Sequence, residues 1–507
     1  MAVPMSHFSY RKEGQTVELS ADYVVVGSGA GGAAAAVKLA RNGASVIVVE
    51  AGPWRDPKDY PTTSYGALRD LMDDWSSTVT RGRAIWPVVQ AKTVGGTTVI
   101  NSAICVRTPA DIFEQWKREH DFGGEALAER VWAIQDRIEE DLSVSIVSTG
   151  ALGHHNNIAT AADQKLGYQG HLIKRYAKGC VGSGQCLQGC RDLKKQSTNV
   201  TYIPEVVRLG GTVLSCAPVR KVTFQGNRAT GVEGTFRHPR TRKKGDAFFV
   251  QARKTVIIAA SVTHTPVLLR RSGIKNRSLG EYFRAHPGSG VFGCYDDPVD
   301  MNTGATQAWA STRFRDTPGT KLETLSLPLE MVASRLAGGG QMLMGRLQEY
   351  RHFAHWIHAC RANTPGRITT GFNGKPVVHY TLDKADMIRF RAGIQLVSKL
   401  HFSAGAKAII PGIYGMPYKL SRDQLHLLDD APLDPRAYVA VLSHLFGGCV
   451  MGGDPKRSVC DPQGRVRDRE SLVVADASVL PTNLGVNPQH TIMALAMLRA
   501  EELLDAA

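Results

Sequence analysis

Between positions 22 and 50 the chain runs strand, glycine turn, helix, strand and acid, in that order. Residues 22–26 (DYVVV) are short, β-branched and nearly all apolar, as expected of a central parallel strand buried on both faces. They lead directly into Gly27-Ser28-Gly29-Ala30-Gly31-Gly32, a full G-x-G-x-x-G. An alanine-rich helix follows over 33–41, then Gly43, then a second strand over 45–50 that ends on Glu50. Each part has a physical task in holding the ADP half of a dinucleotide. Gly27 allows the tight turn, Gly29 admits the pyrophosphate to the backbone, and Gly32 lets helix and strand pack closely. The helix N-terminus offers free N–H groups and a positive dipole end to the phosphates. Glu50 stands about 20 residues on, where a carboxylate meets the ribose hydroxyls. The glycines alone do not decide between FAD and NAD(P).

At 507 residues the chain exceeds one ordinary domain. Its composition, 43% hydrophobic and 21% charged, is that of a globular enzyme. Apolar runs are strand-sized, well short of the ~20 residues of a membrane span. The start, MAVPMSHFSYRKEG, has no apolar core with a cleavage site, which predicts a cytoplasmic protein without a signal peptide. The net charge of +15 is spread out, and its densest cluster, residues 237–244 (RHPRTRKK), reads as a solvated hairpin loop and not a nucleic-acid site. Weak peripheral contact with an anionic membrane stays open. Strand-like runs gather at 23–50, 212–258 and 472–475, so the cofactor domain is expected to be assembled from separated segments.

Three further stretches carry a resemblance. They are Val94-Gly95-Gly96-Thr97-Thr98-Val99-Ile100-Asn101, then TVIIAASVTHTPVLLRRSGI over 255–274, and the C-terminal run from HLFGGCVMGG at His444 through Asp476 to Asn487-Pro488-Gln489-His490-Thr491. With the N-terminal fingerprint they resemble the glucose–methanol–choline (GMC) oxidoreductase family, nearest its cholesterol oxidase and long-chain alcohol oxidase branch. The resemblance implies an α/β fold: a discontinuous Rossmann-like FAD-binding domain plus a β-sheet substrate domain backed by helices, as in p-hydroxybenzoate hydroxylase. The expected division is 18–110, 195–290 and 435–507 for FAD, and 111–194 and 291–434 for substrate. It also implies that Gly95, Gly96 and Asn101 lie beside the flavin and pyrophosphate, that Val219 meets the adenine, and that Asp476 sits at the ribityl and pyrophosphate end. Two departures stand out. Ala260-Ser261 replaces the family's alanine-glycine, and Ile100 occupies the position where some members carry a flavin-linking histidine, so FAD is expected to be non-covalent.

Oxidising an alcohol removes a hydroxyl proton and a hydride from one carbinol group, so the protein must supply a base and an orienting group. By the resemblance His444 is the base, hydride goes to flavin N5, and Asn487 is the second catalytic position, also beside the cofactor. An imidazole neutral near pH 7 can take the proton; an amide can hold the substrate oxygen but cannot take a proton. The expected substrate is a hydrophobic alcohol (sterol, terpenoid or long-chain), with oxygen or a redox partner as electron acceptor. Trp309, Phe314, Leu329, Met331, Met342, Met344, Phe353 and Trp356 are candidates for the pocket, with Glu330 as an extra acid and His490 as a further pocket residue. Competing readings are a family member doing lyase or light-driven decarboxylase chemistry, and a flavin subunit docking to a cytochrome.

Nine cysteines, an odd number, argue for reduced thiols. Cys180, Cys186 and Cys190 fit no compact zinc or ferredoxin spacing and read as packing beneath the flavin domain. His352, His355 and His358 recur every third residue on a drifting helical face, and no metal site is expected from them.

Overall fold

The computed structural model describes residues 6–506. The opening Met1 to Met5, part of the start read above for a leader, lies outside them. Two sheets organise the chain. The first has eight strands in the order His7–Phe8, Thr212–Leu214, Val46–Val49, Val17–Val26, Lys244–Ile258, Arg228–Arg237, Val219–Gln225, with Leu472–Val474 also on Lys244–Ile258. Its centre is parallel: Val17–Val26 pairs with Val46–Val49 on one side and with Lys244–Ile258 on the other. Tyr23, Val24, Val25 and Val26 are buried on both faces, which is why this strand reads as a continuous apolar run.

The 15-residue strand Lys244–Ile258 serves two further partners along the edge opposite Val17–Val26. Its first half forms an antiparallel hairpin with Arg228–Arg237, and its end pairs in parallel with Leu472–Val474. The basic cluster at 237–244 is the exposed loop of that hairpin. The helix Ala30–Arg41 packs its small residues, Ala33 to Ala36 among them, against the sheet. The C-terminal helix Gln489–Asp505 lies against it.

The second sheet has seven strands in the order Ala408–Ile410, Arg284–Cys294, Phe353–Cys360, Thr320–Thr324, Trp309–Ser311, His171–Leu172, with Val441–Phe446 also on Arg284–Cys294. All its pairings are antiparallel. The helix Lys384–Ser403 covers its back. The strand Arg284–Cys294 runs across the boundary expected at 290, and Val441–Phe446, beyond the boundary expected at 435, also belongs to this sheet.

The segment with the three-residue histidine spacing is a strand, not a helix. Phe353–Cys360 alternates faces, so His355 and His358 point to opposite sides of the sheet. Trp356, expected near the pocket, stacks on His401 behind the sheet, with ring centroids 3.9 Å apart. Met342 and Met344 are exposed on the short helix Gly340–Leu347. No helix among the described residues is long and apolar enough to cross a membrane.

Candidate active site

The glycine loop is built for close backbone approach. Gly27 sits at φ +103°, and a Cβ there would lie 2.2 Å from the Ala259 carbonyl oxygen. A Cβ on Gly32 would lie 2.0 Å from the Gly27 carbonyl oxygen. Gly29 differs: its φ of −67° suits any residue, and the nearest atom to an added Cβ is Gly96 Cα at 3.9 Å. That Cβ would point into open space at a helix N-terminus with no side-chain cap. Gly96, with φ +53°, comes so close that its own Cβ would meet Gly29 Cα at 2.8 Å. Loop and Gly95-Gly96 turn are tied together, since Gly95 N–H donates to Ser28 Oγ at 3.0 Å. Uncapped helix donors beside two glycine turns form a cradle that fits a dinucleotide pyrophosphate.

Glu50 is buried at the end of its strand. It accepts from Ser28 N–H and Oγ–H at 3.0 and 2.7 Å, and from Gly52 N–H at 2.8 Å. Burial raises its pKa, against those hydrogen bonds. Asp476, also raised by burial, accepts from Ser261 N–H at 2.9 Å, Thr265 Oγ–H at 2.5 Å and Ser478 N–H at 2.8 Å. Ser261 stands at φ +90°, a glycine-like conformation held by a serine. Asn101 donates to Gln489 Oε1 at 2.6 Å and accepts from Ala103 N–H at 3.0 Å. Val219 is half-buried at the start of the outermost strand. Ile100 is buried in a small apolar cluster with Tyr60 and Leu71.

The two expected reacting residues meet. Asn487, 43 positions beyond His444, brings its Nδ2 to 3.3 Å from His444 Nε2. His444 lies on Val441–Phe446 opposite His286, and a bulge at Ser443, between the pairs His286–His444 and Pro287–Leu442, re-aims it. The rings touch through Nδ1 atoms 3.3 Å apart, and Gly485 N–H donates to the far nitrogen of His286 at 3.0 Å. Burial pushes His444 down to about 4 and His286 well below its ordinary value. Both rings are therefore neutral at pH 7.

The same face carries a buried ion pair that sequence reasoning missed. Lys321 Nζ donates to Glu323 Oε1 at 2.6 Å and also to Asn487 Oδ1, and both charged side chains are 2% exposed. Lys321 pairs across the strands with Ala359, and Glu323 with Ile357; Ala359 and Ile357 in turn pair with Gly288 and Gly290. Directly paired residues share a face, so these four small or aliphatic residues form a floor beside the ion pair. They are half-buried in the middle of a sheet whose other face is closed, and the buried His355 ring covers Gly290, where an added Cβ would meet its Nε2 at 2.0 Å. The acid at this site is Glu323, not Glu330, which is exposed on a surface helix. The signal available in sequence was the alternation in TKLET, two opposite charges on one face of a strand-like run.

His490 points elsewhere. It lies 3.6 Å from Glu139, and Cys105, Glu139 and His490 place their ligand atoms within 4.8 Å of one another. Arg107 and Lys174 already hold the Glu139 carboxylate, and two cations there oppose a metal ion. In the cysteine segment Arg175 Nη2 donates to Cys186 Sγ at 2.9 Å. Burial raises that thiol, and Arg175 with Lys195 outweighs it, down to about 7. Lys195 donates to Asn101 and Cys186 carbonyls at 2.8 and 2.9 Å, tying the segment to the Gly95-Gly96 turn.

Comparison with known proteins decides the family. The GMC oxidoreductase models match residues 21–288 and 364–496. The chain belongs to the GMC oxidoreductase family. Its sequence is similar to an uncharacterized GMC-type oxidoreductase of Mycobacterium tuberculosis, 32% identical over 486 residues, 95% of this chain and 75% of that one. It is similar to a long-chain-alcohol oxidase of Arabidopsis thaliana, 28% identical over 518 residues, 96% of this chain and 67% of that one. Its fold matches pyridoxine 4-oxidase from Mesorbium loti with a TM-score of 0.72 at 16% identity, covering 95% and 99% of the two chains. The protein is thus an FAD-family oxidoreductase acting on CH–OH donors, and the glycine cradle fits that cofactor.

Proposed function

We propose that this GMC oxidoreductase oxidises a hydrophobic alcohol (sterol, terpenoid or long-chain) to the carbonyl, with oxygen or a redox partner as acceptor. The observation that carries the reading is the meeting of His444 Nε2 and Asn487 Nδ2 at 3.3 Å above a floor of Gly288, Gly290, Ile357 and Ala359. The carbinol oxygen sits beside the two nitrogens and takes over the Asn487 N–H, which frees the one lone pair of His444 Nε2. Asn487 Nδ2 donates to it, and His444, neutral because burial lowers its pKa to about 4, takes the hydroxyl proton at Nε2. Bound FAD supplies the acceptor for the hydride that leaves the carbinol carbon. Gly27, Gly29, Gly32, Glu50, Gly95, Gly96, Asn101, Val219 and Asp476 hold the cofactor without a covalent link, on segments 18–110, 195–290 and 435–507. The remaining segments form the substrate domain, together with the strands Arg284–Cys294 and Val441–Phe446 that pair into its sheet.

Base action needs one tautomer of His444, with its proton on Nδ1 and donated to His286. The Gly485 N–H on the far nitrogen of His286 opposes that tautomer, because a neutral imidazole accepts at only one nitrogen. The Asn487 N–H favours it. The apolar floor and the similarity to a long-chain-alcohol oxidase support a hydrophobic substrate. Anaerobic titration of the FAD-loaded protein with a panel of alcohols tests the reading. Long-chain or sterol alcohols should bleach the flavin absorbance at lower concentration than ethanol; a flavin that no alcohol bleaches refutes it.

A further inference from the structure

We infer that Lys321 is a positioning residue that sets the tautomer of His444 by fixing which end of the Asn487 amide faces it. The inference rests on the proposed role of His444 as base.

An ammonium group has donors only. Lys321 Nζ directs one at Asn487 Oδ1 and another at Glu323 Oε1. The amide oxygen must therefore face the lysine, which turns the NH2 toward His444 Nε2 at 3.3 Å. An NH2 can only donate there, so Nε2 accepts and the ring proton sits on Nδ1. That proton has a partner, His286 Nδ1 at 3.3 Å.

The opposing input is equally plain. Gly485 N–H donates to His286 Nε2 at 3.0 Å, which favours a proton on His286 Nδ1. That proton would be donated to His444 Nδ1, leaving His444 protonated on Nε2 with no lone pair for the substrate. A backbone N–H at one end and a side-chain amide at the other thus compete through one pair of rings. Lys321 holds the Asn487 end in place, and Glu323, buried beside it, anchors the lysine through a second hydrogen bond. Without the ammonium the amide is free to turn. Its oxygen can then accept from His444 Nε2–H, and the Gly485 end prevails.

The charged and titratable groups near the two rings are Lys321 and Glu323 from the strand Thr320–Thr324 and, for His286, Arg361. Only Lys321 also touches the amide oxygen.

The test uses two variants of the FAD-loaded enzyme. Lys321→Met removes the ammonium. Lys321→Met/Glu323→Leu removes both charges, so that no buried carboxylate is left unpaired and folding is preserved. The first readout needs no substrate: selective 15N labelling of histidine, with long-range proton–nitrogen correlation in the oxidised protein, reports which nitrogen of His444 carries the proton. Wild type should show Nδ1–H and either folded variant Nε2–H. The same tautomer in wild type and variants overturns the inference, whatever any alcohol does.

The second readout is flavin reduction under anaerobic conditions. The variants should slow the reduction step about a hundred-fold, the scale of losing a general base, with the apparent substrate dissociation constant changed less than about three-fold. In an Asn487→Ala background the lysine substitution should cost less than about two-fold more, because there is no amide left to orient. An undiminished loss in that background assigns Lys321 a merely structural role and overturns the inference. Wild-type enzyme that no alcohol reduces would instead refute the proposed reaction, while leaving the tautomer readout decisive for Lys321.

Discussion

Replacing Gly29 with alanine separates binding from folding. A Cβ at Gly29 meets nothing closer than Gly96 Cα at 3.9 Å, and the residue's φ of −67° and ψ of −165° suit alanine. The fold should therefore be indifferent, with stability within about 0.5 kcal/mol of wild type. The methyl instead fills the space between the uncapped helix and the Gly96 turn, where the pyrophosphate sits in the proposed complex. Pushing the phosphates away weakens one or two hydrogen bonds to charged oxygens, each worth about 1.5–3 kcal/mol. One such bond is about a ten-fold to hundred-fold loss of FAD affinity. The control is Gly27→Ala, which forces alanine to φ +103° and sets its Cβ 2.2 Å from the Ala259 carbonyl oxygen. That variant should lose stability outright, by at least about 1–3 kcal/mol from backbone strain alone. The assay pairs urea unfolding of the apoproteins with fluorescence titration of FAD. If Gly29→Ala binds FAD as tightly as wild type, the pyrophosphate does not lie in this cradle.

Two further outcomes follow from burial and backbone. Ser261→Gly should stabilise the protein by about 1 kcal/mol, since serine at φ +90° carries strain that glycine lacks; a lower melting temperature would contradict this. Three enclosed histidines have pKa values lowered by burial, His155 to about 4 and His358 and His401 to about 3. Their ordinary value is 6.5, so below that pH the unfolded chain binds more protons than the folded one. Their stability contribution is complete above pH 6.5 and is lost as pH falls toward the folded values. The slope is about 1.4 kcal/mol per pH unit for each ring, so urea unfolding should show a loss of several kcal/mol between pH 7 and pH 5. A flat profile over that range would contradict the burial of these rings as neutral species.

The cofactor end of the molecule was readable because its determinants are local. Strand, turn, helix and acid from residue 22 to residue 50 each carry their own pattern, and the structure places them together as a βαβ unit. His444 and Asn487 were reached through family resemblance, not through any local signal, and the fold brings them to within hydrogen-bond distance. What sequence reasoning missed was placed by strand register. His286 meets His444 because two strands pair there, and Lys321 meets Asn487 across 166 positions. The period-three histidines misled because His352 ends a turn while His355 and His358 lie on opposite faces of one strand. Trp356 looked like a pocket residue by type, yet the alternation of its strand sends it to the helix side, onto His401. Glu330 was sought as an acid near the site, but the chain leaves the sheet after Thr324, so the carboxylate that reaches the face is Glu323.

The most direct test of the central claim is anaerobic rapid mixing of the FAD-loaded protein with the alcohol that best bleaches it, comparing wild type with His444→Ala. The account predicts that the variant retains FAD and is reduced at least about a hundred-fold more slowly, the loss largest at neutral pH, where the His444 imidazole is neutral. Reduction of His444→Ala at the wild-type rate would remove this residue from the chemistry and contradict the proposed reaction.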